Sequence, residues 1–231
     1  MSPSIPTHPR SSADVPSPEA EVPRLLALAQ ECGVELDTDA VRRLIGYLDL
    51  LQRWNSTYNL TSVRRRDEML VQHLVDCLAV VPAVHRALPD GGRVLDVGSG
   101  GGLPGVVLAI ALPALKVTCV DTVGKKAAFV RQVSAQLGLP TLQAVHGRVE
   151  SLAGHQAELI CSRAFASLAD FVRLTRDRLA PGGVWMAMKG RVPADEIAAL
   201  PPDVDMFHVE HVRVAGLDAE RCLVWMRRRE G

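Results

Sequence analysis

Between Asp96 and Asp121 the chain gathers the residues best suited to hold a nucleotide-like ligand. Asp96 is followed by Gly98, Gly100, Gly102 and Gly105, and Asp121 lies 21 residues beyond Gly100. Glycine serves where a backbone must turn sharply and lie against a ligand with no Cβ in the way. A helix that follows aims its unpaired N–H groups at that ligand. Two spacings coexist here. Asp96-Val97-Gly98-Ser99-Gly100 puts an acid two residues before the first glycine, while Gly100, Gly102 and Gly105 satisfy the dinucleotide pattern GxGxxG. The run alone leaves the ligand open.

Other reactive side chains stand at the ends of strand-like runs. Asp121 closes Val117-Thr118-Cys119-Val120, where a carboxylate can accept both hydroxyls of a ribose or, alternatively, cap the next helix. Val149 and Glu150 follow a third run, where their backbone can hydrogen-bond an adenine ring; Glu150 by itself reads equally as a surface acid. Arg163 and Lys189 close the fourth and fifth runs and suit the holding of a phosphate, a guanine O6 edge or a carboxylate. For Arg163 a strand-end salt bridge is the less favoured alternative, given its place at the cleft.

These positions need a sheet to align them. Strand-like runs occupy Val94 to Val97, Lys116 to Asp121, Leu142 to His146, Leu159 to Ser162, Val184 to Lys189, Phe207 to Val214 and Cys222 to Met226. Helical stretches are predicted at about Leu103 to Ala111, Lys125 to Leu137 and Leu168 to Leu179, with Pro181-Gly182-Gly183 as a helix stop and tight turn. Such alternation implies a largely parallel sheet covered on both faces, with ligands beyond the carboxyl ends of the strands. The last two runs, joined through Ala215-Gly216-Leu217-Asp218, predict an antiparallel hairpin.

Before this unit a helical pattern sets in at about Glu19 and fills residues 24–88, with Val41, Leu44, Ile45, Leu48 and Leu51 at three- and four-residue steps after a capping Asp37 or Thr38. A further helix is expected from about Asp67 with Leu70, Leu74, Leu78 and Val81 on one side, and His73 and Asp76, one turn apart, as a hydrogen-bonded pair near the cleft. Residues 1–23 carry six prolines and five serines and are expected to be a disordered tail; residues 89–231 form the ligand-binding domain.

The totals fit. A chain of 231 residues that is 48% hydrophobic can bury a full α/β core. No stretch approaches the roughly 20 uninterrupted apolar residues of a membrane span, and a cytoplasmic protein is expected. The five cysteines are odd in number, widely spaced and suited to a reduced core. His208 and His211 alternate as in a strand and lack further metal-ligand partners, so no metal is expected. Lys plus Arg and Asp plus Glu both total 26, which counts against wholesale nucleic-acid binding but leaves room for a local basic face. Arg64-Arg65-Arg66 is the candidate phosphate contact, extended by Arg148, Arg191 and Arg227-Arg228-Arg229.

The acid and glycines after strand one, the acid after strand two and the terminal hairpin make the layout of a class I S-adenosylmethionine-dependent methyltransferase, a Rossmann-like α/β fold. A nicotinamide-dependent oxidoreductase on a Rossmann fold is the alternative, supported by Gly100, Gly102, Gly105 and Asp121 but lacking a Tyr-x-x-x-Lys and a second domain. Five segments sharpen the choice: Trp54 to Arg64, Glu68 to Leu78, the glycine loop with Leu103-Pro104-Gly105, Gly124-Lys125-Lys126, and Ser162-Arg163-Ala164-Phe165-Ala166. In that order they closely resemble the RsmG (GidB) family, bacterial enzymes that methylate N7 of guanine 527 in 16S ribosomal RNA. The resemblance runs from about residue 22 to the C-terminus. It implies S-adenosylmethionine as cofactor, contacted by Gly98 and Leu103, with Val149 and Glu150 flanking its adenine and Arg163 beside the reacting centre. It also implies 16S RNA or the small ribosomal subunit as partner; a monomer with no membrane attachment is expected.

Overall fold

The computed structural model describes residues 18–229 apart from 153, 155, 164 and 166. Its centre is a seven-stranded sheet of β1 (Gly92–Val97), β2 (Leu115–Asp121), β3 (Leu142–His146), β4 (Ala157–Ser162), β5 (Leu179–Lys189), β6 (Val204–His211) and β7 (Cys222–Arg228). The strand order is β3-β2-β1-β4-β5-β7-β6; the first five are parallel, and β7 lies antiparallel between β5 and β6. Order reverses between β1 and β4, which is where an open sheet of this kind holds its ligand. Val94, Leu95 and Val97 of β1 are all buried, as required of a central strand covered on both faces.

The helices are α1 (Pro18–Glu31), α2 (Thr38–Tyr58), α3 (Arg66–Met69), α4 (Asp76–Leu78), α5 (Val81–Ala87), α6 (Gly105–Ala111), α7 (Gly124–Leu137), α8 (Leu168–Thr175) and α9 (Ala194–Ala198). Helix α2 starts where Asp37 accepts the Ala40 N–H at 2.7 Å, and it ends at Asn59 in the left-handed conformation with φ 51°. Its buried stripe of Val41, Leu44, Leu48 and Leu51 joins α6 and α7 in one core, with Trp54 and Phe129 rings 5.4 Å apart. The helical layer and the sheet unit therefore share one apolar cluster, and a second, around Phe171 and Trp185, holds no residue of the helical layer.

Four features depart from expectation. Residues 18–23, assigned to the tail on composition, belong to α1, where Glu21 is buried; residues 1–17 lie outside the described residues. The helix expected from Asp67 is interrupted by a π-helical turn over Leu70–Val75. Helix α8 stops at Thr175, and β5 runs on through Pro181-Gly182-Gly183 as a bulge: the register with β4 passes from Ala157↔Leu179 to Leu159↔Val184, and Gly182 takes φ +72°. The short α9 carries too weak a sequence pattern to be read. The run Arg66–Ala87 has the length and composition of a membrane span, yet 78% of its apolar window is buried inside the fold.

Candidate functional site

Three hydrogen bonds shape the loop between β1 and α6. Asp121 accepts the Gly100 N–H through Oδ2 at 2.9 Å, Asp96 accepts the Gly105 N–H through Oδ2 at 2.8 Å, and Val120 O accepts the Gly98 N–H at 2.8 Å. From the helical layer, the buried Tyr47 hydroxyl donates to Gly101 O at 2.7 Å. Gly98 adopts φ +68°, and a Cβ placed there would meet nothing within 4 Å, because that side of the loop is open cleft. Gly102 is different: a Cβ would come 2.4 Å from Val106 Cγ2, so packing of α6 excludes it.

Two cavities meet at this loop. One of about 490 Å³ is lined by Gly98, Asp121, Lys126, Val149, Glu150 and Phe165. The other, about 250 Å³, is lined by Gly98, Ser99, Gly100, Leu103, Lys126 and Arg163. The fold thus brings Gly98, Leu103, Asp121, Val149, Glu150 and Arg163 to one cleft. Lys189 stands apart: its Nζ is 2.8 Å from Glu196 and it lines a neighbouring cavity of about 840 Å³ with Arg191, Glu220 and Arg221. Lys126 belongs to both cleft cavities, with Nζ 3.9 Å from Asp121; the sequence reading has it within Gly124-Lys125-Lys126 but gives it no site role, although its place just after the β2 acid is a usable signal.

Burial sets the electrostatics of this end of the sheet. Asp96 is fully buried, which pushes its carboxyl up to about 7 against the pull of the Gly105 N–H. His73 is pushed down to about 4, by burial first and by the Arg163 charge second. The two ring contacts of His73, Nε2 with Thr61 Oγ1 at 2.8 Å and Nδ1 with Gln72 O at 3.0 Å, fit a neutral imidazole that donates from Nδ1 and accepts at Nε2. The expected His73–Asp76 pair is absent, because the π turn rotates the two residues toward different neighbours. Asp76 instead accepts from Arg163 at 3.5 Å and from Arg221 at 2.7 Å.

The arginines divide. Arg64 is exposed, anchored to Asn59 Oδ1 at 2.7 Å, and Arg65 is 65% exposed beside Asp67. Arg66 is corrected: its side chain is only 9% exposed and its guanidinium is consumed by Glu21 at 2.7 Å and Asp49 at 2.6 Å, which ties α3 to α1 and α2. Arg227–Arg229 are corrected as well. Because β7 is antiparallel, Arg227 pairs with Val184, which is level through Leu159 with Val94 near the start of β1, at the end of the sheet away from the glycine loop.

A Rossmann-like sheet closed by an antiparallel hairpin, with its glycine loop at the order reversal, is the class I methyltransferase fold. TrmN from Thermus thermophilus shares it with a TM-score of 0.53 at 20% identity, covering 69% of this chain and 53% of that one. The ribosomal protein L11 methylase from Lactobacillus delbrueckii subsp. bulgaricus does so with a TM-score of 0.52 at 15% identity, covering 66% and 78%. In sequence, residues 40–224 match the GidB family, rRNA small subunit methyltransferase G. Ribosomal RNA small subunit methyltransferase G of Leptothrix cholodnii is 58% identical over 89% of this chain and 94% of its own length; that of Methylibium petroleiphilum is 56% identical over 87% and 91%. The chain belongs to the rRNA small subunit methyltransferase G family, and the nicotinamide-dependent reading is set aside.

Proposed function

We propose that this chain transfers a methyl group from S-adenosylmethionine to N7 of guanine 527 in 16S ribosomal RNA. The observation that carries this reading is the convergence of Gly98, Leu103, Asp121, Val149, Glu150 and Arg163 on two cavities that meet at Gly98. These residues suit the cofactor: Gly98 leaves open the space that a Cβ would take, and each Asp121 oxygen, though accepting one backbone N–H, keeps a lone pair for a ribose hydroxyl. Bound there, S-adenosylmethionine supplies an electrophilic methyl group.

Guanine N7 carries a lone pair and no proton, so no side chain has to act as general base. The chain's own contribution is to hold donor and acceptor in line and to keep water out. Val149 and Glu150 would flank the adenine, Leu103 would close the apolar side, and Arg163, tied to Gln72 O at 3.1 Å, would hold its charge at the reacting end. Lys189 would act from the adjoining cavity, and Arg64 and Arg65 would meet RNA phosphate. The test is methylation by the purified chain of small subunits from cells lacking this activity. One new N7-methylguanosine at position 527 is expected, and the absence of any such mark overturns the reading.

A further inference from the structure

Asp76 joins three parts of the molecule through a single carboxylate. It lies at the start of α4, directly after the π turn, with a side chain 4% exposed. Arg163 reaches it from the end of β4, and Arg221 reaches it through Nε from just before β7. The π turn adds the Gln72 carbonyl, which accepts from Arg163 Nη1 at 3.1 Å, and such turns are a common means of redirecting backbone groups at functional sites. Two guanidiniums thus share one buried anion and leave one positive charge over.

The two arginines face different spaces. Arg163 lines the cavity with Gly98, Gly100 and Leu103, whereas Arg221, linked to Arg163 through Asp76, lines a second one at the end of β5 with Lys189 and Arg191. Within that second space Lys189 is neutralised by Glu196, but Arg221 spends only Nε on Asp76 and Nη1 on Glu220 O, and its Nη2 has no partner among the described residues. We propose that Arg221 is a substrate contact, donating to an acceptor oxygen of the RNA beside the target base, and that Asp76 is the positioning residue holding it in register with Arg163. The inference rests on the RNA methyltransferase reading above. The oxygen belongs either to a backbone phosphate or to a guanine O6.

The experiment is steady-state methylation of small subunits by the parent chain, Arg221→Gln, Arg221→Lys and Asp76→Asn, across a salt series, with calorimetric S-adenosylmethionine affinity for each. Arg221→Gln should raise KM for the subunit about ten- to a hundredfold, as expected when one charge-assisted hydrogen bond is removed, with cofactor affinity unchanged. Arg221→Lys should recover part of this, which a purely structural role would not predict. A shallower salt dependence in Arg221→Gln assigns the oxygen to phosphate; an unchanged slope with raised KM assigns it to the base. Asp76→Asn should raise both KM and the cofactor dissociation constant, because it loosens both arginines. If KM for the subunit is unaltered in Arg221→Gln and Arg221→Lys while the parent remains active, the proposal is wrong. An inactive parent would instead overturn the function itself.

Discussion

The Asp121 carboxylate accepts the Gly100 N–H at 2.9 Å with one oxygen and the Val123 N–H at 2.8 Å with the other, so the acid that ends β2 also fixes the loop that follows β1. Asp121→Ala removes this brace together with the ribose acceptors. It should weaken S-adenosylmethionine binding about tenfold or more. Gly98→Val forces a β-branched residue to φ +68° and fills the open side of the loop, with an effect at least as large. Calorimetric affinities equal to the parent in both variants would remove the cofactor from this cleft.

The glycine loop, the β2 acid and the hairpin are legible in the sequence because each is local: a spacing of glycines, an apolar run closed by a charge, an alternation of residue types. What escapes depends on long-range packing. Tyr47 meets Gly101 and Arg221 meets Asp76 across distant stretches of chain, and no spacing signals such meetings. The His73–Asp76 error has a similar origin. A regular helix places residues three apart on one face, but the π turn over Leu70–Val75 changes that face, and Asp76 goes instead to Arg163 after β4 and Arg221 before β7, partners that no local spacing signals. Arg64-Arg65-Arg66 misleads for the opposite reason: composition cannot tell an exposed guanidinium from one consumed by Glu21.

Burial of Asp96 has a consequence for stability. In the folded protein its carboxyl holds a proton up to about pH 7, whereas the unfolded chain releases it near 3.8. The folded state therefore binds more protons over that range, and stability from this group, full below about pH 4, is lost as pH rises through about 7. Asp96→Asn is blind to pH and can still accept from Gly105. Chemical denaturation should show the variant gaining on the parent by about a few kcal/mol between pH 4 and pH 8. A difference that stays constant with pH would contradict the assignment.

His73 acts in the opposite direction. Folded, it stays neutral down to about pH 4, while an unfolded histidine takes its proton near 6.5, so stability from this group is full above 6.5 and falls as pH drops toward 4. His73→Gln, which can still bond Thr61, should lose less stability than the parent between pH 7 and pH 4. Parallel denaturation curves over that interval would show that the imidazole titrates normally in the fold.

Arg66 separates a structural cation from an RNA-facing one. Its guanidinium, 9% exposed, leaves the carboxylate of Glu21, 2% exposed, unpaired when removed. Breaking a buried pair costs about 3–5 kcal/mol, and the half-exposed Asp49 relieves only its own share of that cost. Arg66→Ala should therefore lower the melting temperature by many degrees without changing the salt dependence of RNA binding. Arg64 and Arg65 point the other way. Changing both to alanine removes charge from an exposed loop, so the melting temperature should hold, while the slope of log affinity against log salt should fall by roughly 0.7–0.9 for each phosphate that the protein no longer neutralises. A slope altered by Arg66→Ala but not by the double variant would reverse the two roles, because a guanidinium held by Glu21 and Asp49 can reach phosphate only if α3 leaves α1.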